Sequence, residues 1–200
     1  MRHTGRVLSS VRAVAVALAV TASLAACGGG DDPAPAPTAS TPAGFELPEG
    51  VELSAPGSTV DVGDPATFVY EVGDGASSAV TATVTKITKG SIKDFAFFSL
   101  DKTAKASTPY YVRATLTNEG PAGLGGAAPP FVLRDDANTV APPNSITGTF
   151  RPCGRRTLPA SFLPGATAKV CMVFLVPKGR SLVSVDSLSD DTGAAVRWKR

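Results

Sequence analysis

The cysteines and the histidine are the residues of this 200-residue chain with the widest chemical range. Cys27, Cys153 and Cys171 could act as nucleophiles, bind a metal ion or form a disulfide. A nucleophilic cysteine usually needs a histidine base, and cysteine-based zinc sites often include histidine. The only histidine is His3, which lies in an N-terminal segment typical of a cleaved leader. We therefore expect no cysteine catalysis, no metal ion and no other cofactor.

Other motifs for catalysis or cofactor binding are weak. Asp135-Asp136 and Asp190-Asp191 could do acid–base chemistry or bind Ca²⁺, but adjacent aspartates point in opposite directions and usually cap loops. Residues 123–128 match the dinucleotide fingerprint G-x-G-x-x-A, yet Pro129-Pro130 blocks the helix that would hold a pyrophosphate. Residues 99–102 match the S-x-x-K of penicillin-recognising enzymes, but the partner motifs S-D-N and K-T-G do not follow. We therefore predict no catalytic residue.

Three arginines surround one cysteine, because Arg151, Arg155 and Arg156 lie close to Cys153 in the sequence. Planar guanidinium groups recognise phosphate and carboxylate groups through paired hydrogen bonds. Our hypothesis is that this basic loop contacts an anionic envelope component, such as a lipid head group or a wall polymer. The alternative is a solvated basic loop that has no ligand.

The N-terminal segment is typical of a secretory signal peptide. Arg2 and Arg6 precede residues 13–26, which are uncharged, mostly apolar and too short for a membrane span of about 20 residues. The run Leu24-Ala25-Ala26-Cys27 resembles the lipobox of bacterial lipoproteins, in which the cysteine is acylated and becomes the new N-terminus. The resemblance predicts a lipoprotein signal peptide over residues 1–26 and lipidation of Cys27.

Residues 27–57 form the predicted linker. Glycine, proline, alanine, serine and threonine dominate its first half, which shows no apolar periodicity and cannot bury enough surface to fold. Two or more acyl chains on Cys27 would suffice for stable membrane anchoring. We therefore expect the protein on the extracytoplasmic face of the cell membrane, held there by its N-terminal lipid.

Once Cys27 is assigned to lipid, Cys153 and Cys171 remain as a pair. In an oxidising exported compartment such a pair most simply forms a disulfide. It would close a loop of about 17 residues and contribute about 3 kcal/mol to stability.

The charge of the chain argues against nucleic acid as a partner. The formal net charge is +2, and without Arg2, Arg6 and Arg12 it becomes −1. Charged residues make up 18% of the chain, against about a quarter in a typical protein. The mature chain therefore lacks the basic field that grasps phosphates along a nucleic acid.

Apolar residues in residues 58–200 recur mainly with the period of two that is typical of β-strands. In the run 110–118, Val112 and Leu116 share one face with Tyr110, whereas Arg113 lies on the other. The pattern predicts an all-β fold, an antiparallel β-sandwich of about seven to nine strands in one domain. The strand candidates are 67–72, 80–85, 110–118, 131–134, 145–150, 168–176, 181–188 and 195–199.

Three further expectations concern packing. Residues 91–107 fit either a helix or a strand, and we favour an irregular strand. Cys171 shares its face with Val173 and Leu175, so this face should be buried. The aromatic residues chosen for the core are Phe68, Tyr70, Tyr110, Phe131, Phe150, Phe174 and Trp198.

The order of motifs from about Val80 to Trp198 resembles a family of immunoglobulin-like domains from lipid-anchored and secreted proteins of actinobacteria and other Gram-positive bacteria. The motifs are the strand running into residues 117–120, then 131–135, 163–167 and 173–177. The chain is also similar in this pattern to small secreted mycobacterial antigens. The resemblance implies an immunoglobulin-like sandwich at the cell surface without catalytic residues. It also implies that Asn118 and Gly120 turn a hairpin, that Pro164-Gly165 turns into a core strand and that Pro177 ends this strand.

These observations predict a non-enzymatic, lipid-anchored surface protein whose immunoglobulin-like domain binds a protein or envelope ligand. The alternatives are a carrier of a hydrophobic ligand, which would need an apolar cavity between the sheets, and a small envelope hydrolase that uses carboxylates. For a hydrolase, two carboxylates would have to lie roughly 5 to 9 Å apart in a cleft.

Overall fold

A computed structural model describes residue 41 and residues 44–73, 75–189 and 193–200. The predicted signal peptide, Cys27, the first part of the predicted linker and Asp190-Asp191 lie outside the described residues. Within them are a 3-10 helix at Ile92–Phe95, the helix α1 at Lys102–Ala106 and nine strands. The strands are β1 Thr59–Asp61, β2 Pro65–Val72, β3 Ala76–Lys89, β4 Thr108–Pro121, β5 Phe131–Asp135, β6 Val140–Ala141, β7 Thr167–Val176, β8 Leu182–Ser187 and β9 Arg197–Lys199.

The strands form two sheets. Sheet 1 has the order β2-β3-β4-β7, and sheet 2 has the order β1-β9-β8-β5-β6. All pairs are antiparallel except β1 and β9, in which Thr59 is paired with Arg197. The chain crosses from sheet 1 to sheet 2 after β4 and again after β7, so β4 and β7 are neighbours in one sheet while β5 and β8 are neighbours in the other. These crossings are those of an immunoglobulin-like sandwich, and the predicted fold is confirmed.

The main core fills the space between the sheets. Trp198 is fully buried and makes edge-on ring contacts with Phe68 at 6.3 Å and Phe131 at 5.5 Å between centroids. On β4 the predicted alternation is confirmed, because Val112 and Leu116 are buried in this core. The chosen aromatic residues Phe68, Tyr70, Phe131, Phe174 and Trp198 all lie there, and Tyr110 packs against it half-buried. Phe150, the remaining choice, lies elsewhere.

A second core covers part of the outer face of sheet 1. It contains Phe95, Tyr111, Phe150, Cys153, Cys171 and Val173. The ring of Phe150 packs against Phe95 at 4.7 Å and Tyr111 at 5.7 Å. Phe150 is therefore buried in a core, as chosen, but it lies in this second core because its loop folds over the outside of sheet 1.

The irregular strand favoured for residues 91–107 is also wrong, since this segment holds the 3-10 helix and α1. Ser91 and Asp94 form a capping box at the start of the 3-10 helix, and Asp101 caps α1 through the N–H of Ala104. These local hydrogen bonds stabilise the first turns of helices too short to be stable alone. The hydroxyl of Tyr111 donates to Asp94 at 2.7 Å and fastens the segment to sheet 1.

The strand predicted for residues 145–150 is absent from the described residues, and the short β6 precedes it. Asn144 bonds the edge of β7, because its N–H donates to the Val173 carbonyl and its Oδ1 accepts from the N–H of Leu175. Gly148 then adopts a φ of +81°, which ends any extended run.

The hairpin turn implied for Asn118 and Gly120 is not there either, since both residues lie inside β4, which continues to Pro121. Asn118 is fully buried, and its side chain accepts from Ser78 and from the N–H of Gly120. Its amide donates to two backbone carbonyl oxygens, at 2.8 and 3.1 Å. Asn118 therefore pins the irregular end of β4 rather than a turn. The turn at Pro164-Gly165 and the end of β7 before Pro177 are as implied.

The second half of the predicted linker lies along the sandwich where it is described. The N–H of Ser54 donates to the Thr67 carbonyl at 2.8 Å, and the N–H of Thr67 donates back to the Ser54 hydroxyl. The boundary between linker and domain at residue 58 stays a prediction. Within the described ranges, the helices are too short and too polar to cross a membrane.

Candidate anion-binding groove

The disulfide lies on the outer face of sheet 1, where Cys171 of β7 is bonded to Cys153 of the loop before it. Both cysteines are buried, and their Cα atoms are 5.3 Å apart. Val173 is buried beside them and Leu175 half-buried, so the expected burial of this face is confirmed. The N–H of Cys171 also donates to the Arg155 carbonyl at 2.7 Å. The loop is thus fixed to the sheet by one covalent bond and one hydrogen bond.

The three arginines of this loop have different environments. Arg156 donates to the carbonyl oxygens of Cys153, Gly154, Ile146 and Gly148, at 2.6 to 3.2 Å. These hydrogen bonds join two segments of the loop, so the guanidinium of Arg156 stabilises the loop itself. Arg151 is exposed and lies outside the groove described next, whereas Arg155 is exposed and lines it.

A groove of about 390 Å³ runs beside the disulfide on the outer face of sheet 1. Its cations come from three separate segments, Arg113 of β4, Lys169 of β7 and Arg155 of the loop. The other lining residues are Thr85, Ala114, Thr115, Val170 and Cys171. None of the lining residues is acidic. This groove is the candidate functional site.

The register of sheet 1 explains how the cations meet. Arg113 is paired with Cys171 of β7 and with Lys86 of β3, while Lys169 is paired with Thr115. Arg113 and Lys169 are therefore diagonal neighbours, about 7–8 Å apart at Cα. The four cations are Arg113, Arg155, Lys169 and, beside the groove, Lys86. All four are exposed, and no carboxylate of the described residues lies within ion-pair distance of them. Like charges on adjacent strands repel each other, and a bound anion would relieve this repulsion.

The guanidinium of Arg113 is partly oriented before any ligand binds. One of its nitrogens donates to the Pro152 carbonyl at 3.0 Å, which holds it towards the disulfide loop. A guanidinium has five N–H donors, so most remain available for an anion. Such a fixed fork suits phosphate and carboxylate groups.

The carboxylates expected to cap loops do so where they are described. Asp135 accepts from the N–H groups of Thr139 at 2.7 Å and Ala137 at 3.0 Å. Burial raises the pKa of Asp135, but these backbone hydrogen bonds outweigh it and hold the pKa below its usual value. Asp136 accepts from the N–H of Ser181 and lies 3.9 Å from Arg180. The described residues contain no group of three side chains that could hold a metal ion.

The structure describes the two weak motifs, residues 123–128 and residues 99–102. Residues 123–128 form a loop, and Gly125 packs so closely on Ala160 that a Cβ would lie 2.0 Å from its carbonyl oxygen. Leu124 is buried in the main core. Ser99 is exposed and precedes the Asp101 cap of α1, so it does not open a buried helix.

Sequence reasoning missed Arg113 and Lys169. Alternation in β4 places Arg113 on the outward face, and the same reasoning applies to Lys169 in β7. Their meeting with Arg155 depends on which strands are neighbours and on their register, and no local pattern contains this information.

Comparisons with known proteins show similarity to a solved structure but no family match. No family model matches the chain, and no curated protein matches it. A solved structure to which the chain is similar is that of MPT63, a secreted protein from Mycobacterium tuberculosis. The two are 14% identical over an alignment that covers 74% of this chain and 100% of MPT63, with a TM-score of 0.47.

Proposed function

We propose that this chain is a non-enzymatic, lipid-anchored binding module on the extracytoplasmic face of the membrane, and that its sandwich binds an anionic component of the envelope. The observation that carries the proposal is the groove, in which Arg113, Arg155 and Lys169 converge without a carboxylate. The proposal keeps Arg155 from the hypothesis based on the sequence. It replaces Arg151 and Arg156 with Arg113 and Lys169.

Export is supported by two independent features. The N-terminal segment has the charge and length of a signal peptide, and a disulfide such as Cys153–Cys171 is typical of oxidising compartments outside the cytoplasm. Anchoring rests on the lipobox-like run that ends at Cys27. If Cys27→Ser is made, incorporation of labelled fatty acid should stop and the protein should appear in the medium. Unchanged membrane association of this variant would exclude the lipid anchor.

The packing of the sandwich favours a surface ligand over a ligand carried inside. A carrier needs an apolar cavity between the sheets, but Trp198 and its neighbours Phe68 and Phe131 meet there ring to ring. The groove, by contrast, is open to solvent, and its lining includes three cations and two threonines. A ligand can therefore reach the cations without opening the core.

The binding test uses isolated cell envelopes and the purified full chain in neutral detergent micelles. Arg113→Ser, Arg155→Ser and Lys169→Ser should each weaken binding about three- to tenfold in low salt, as expected for the loss of about 1 kcal/mol. The interaction should also weaken as salt is raised, because exposed charges are screened.

Arg151→Ser is the matched control. It removes the same charge from the same loop, but Arg151 lies outside the groove, so binding should change by less than twofold. Equal losses for Arg151→Ser and Arg155→Ser would show that only net charge matters. Full binding by the triple variant at positions 113, 155 and 169 would overturn the proposed site.

A further inference from the structure

Next to the groove, the outer face of sheet 1 carries a regular array of threonines. We name it the threonine face, and it consists of Thr67, Thr81, Thr83, Thr115, Thr117 and Thr167. One row crosses the whole sheet, since Thr67 is paired with Thr81, Thr81 with Thr117 and Thr117 with Thr167. The next row contains Thr83, Thr115 and Lys169. Thr115 and Lys169 also line the groove, so the two surfaces are continuous.

Strand propensity explains single threonines here, but the pairing of their hydroxyls leaves unused hydrogen-bonding capacity. Thr67 and Thr81 share one hydrogen bond of 2.8 Å, and Thr117 and Thr167 share one of 3.0 Å. Each pair has two O–H donors and uses only one of them between its members. One donor and several acceptor lone pairs per pair therefore remain for a ligand. Threonine is stiff about χ1, so a ligand would fix little additional side-chain motion.

The dimensions of the array indicate an extended ligand. Alternate residues on a strand are about 7 Å apart. The path along β4 from Arg113 to Thr117 is therefore roughly 13 Å long. A single phosphate or a single sugar cannot span this path. A chain of hydroxyl-bearing units can lie along it and place an acidic group in the groove.

We propose that the groove and the threonine face together form a binding site for an acidic polysaccharide, in which the cations hold a carboxylate or phosphate group and the threonine hydroxyls bind the neighbouring sugar units. The inference rests on the proposed function, because it assigns a ligand class to the same groove. Single-stranded nucleic acid fits less well, since its binding sites stack bases on aromatic side chains and none lines this groove. The hydroxyl array suits sugar hydroxyl groups, which both donate and accept hydrogen bonds.

The test compares four soluble probes by calorimetry with the full chain in neutral detergent micelles. They are a galacturonate monomer, a galacturonate dodecamer, neutral dextran, and polyphosphate of the same charge as the dodecamer. The dodecamer should bind at least tenfold more tightly than the monomer and than polyphosphate, and dextran should bind most weakly. Polyphosphate that binds as tightly as the dodecamer would reduce the site to a charged surface and overturn the inference. Dextran that binds as tightly would overturn it as well.

The decisive variant is Thr81→Val with Thr117→Val, which removes two central hydroxyls and keeps the β-branched shape. We expect it to lower affinity for the dodecamer about tenfold and affinity for the monomer less than twofold. Thr81→Ser with Thr117→Ser keeps the hydroxyls and should retain binding, while Thr103→Val in α1 makes the same chemical change away from the face. Thermal unfolding of each variant verifies that it is folded, and the single variant Thr117→Val supplies the test if the double valine variant is not.

The outcomes separate the two proposals. Loss of binding in Arg113→Ser together with full binding in the valine variant would leave the groove in place and remove the threonine face from the site. Absence of binding to every anionic probe would remove both. A change of oligomeric state in the valine variant, measured by light scattering, would show that the threonine face joins two copies of the chain, and this too would overturn the inference.

Discussion

Removal of the disulfide tests how the outer face of sheet 1 is stabilised. Cys153→Ala with Cys171→Ala opens a link between residues separated by 18 positions. In the chain-entropy model, a loop of this length stabilises the folded state by about 3 kcal/mol. A domain of this size loses roughly 2–4 °C in Tm for each kcal/mol, so the Tm should fall by about 6–12 °C.

Urea denaturation of the full chain measures this free energy, with the wild-type protein under oxidising and reducing conditions as reference. The reduced wild-type protein and the double-alanine variant should lose similar amounts, because both lack the same loop closure. A loss below about 1 kcal/mol in both would refute the reasoning and show that the second core holds the loop without the bond. The groove provides a second measurement, since Arg155→Ser should cost less affinity when the loop is no longer fixed. An Arg155 effect of the same size in both backgrounds would show that the disulfide does not position Arg155.

Three further predictions concern stability. Asn118→Asp should lower the free energy of unfolding by about 4 kcal/mol, because two buried carbonyl oxygens lose their donor and face a carboxylate oxygen instead; urea denaturation measures this, and a loss under 1 kcal/mol would contradict it. Phe95→Ala should cost about 3–4 kcal/mol, whereas Phe97→Ala should change stability by less than about 0.5 kcal/mol, because Phe95 is 4% and Phe97 100% exposed. Thermal unfolding of the pair measures both changes, and equal losses would argue against the second core. Asp135→Asn should destabilise the protein at pH 7, and the difference should shrink below about pH 4. The folded pKa of Asp135 is lowered, so its contribution is present above the unfolded pKa and is lost as pH falls through the folded pKa; a difference between variant and wild type that is equal at pH 7 and pH 3 would contradict this.

The sequence predicts those parts of the fold that depend on local alternation. β4 is the clearest example, because one face of Tyr110 to Leu116 is buried between the sheets and the pattern records this burial directly. The segment 91–107 was ambiguous because its apolar spacing fits both periods, and the side-chain caps at Ser91 and Asp101 decide in favour of helix. The capping residues can be read from the sequence, but whether they decide for a helix depends on how the segment packs on the second core.

The candidate site could be predicted only in part, because it is built from long-range pairing. Cys153 and Cys171 could be paired by elimination, since few cysteines are available. Arg113 and Lys169 are far apart in the chain and meet only through the register of β4 and β7. Arg156 is the opposite case. Its charge suggests a surface ligand, but its guanidinium donates hydrogen bonds to backbone carbonyl oxygens of its own loop.

The parallel pairing of β1 with β9 determines when the sandwich can be completed. Strand β9 comes from the last residues of the chain, and Trp198 from this strand is at the centre of the main core. Sheet 2 therefore cannot close until residues 197–199 are present, and contacts between distant parts of a chain slow folding. Until then, the edge strand β1 has no partner in sheet 2 and the main core lacks its central ring.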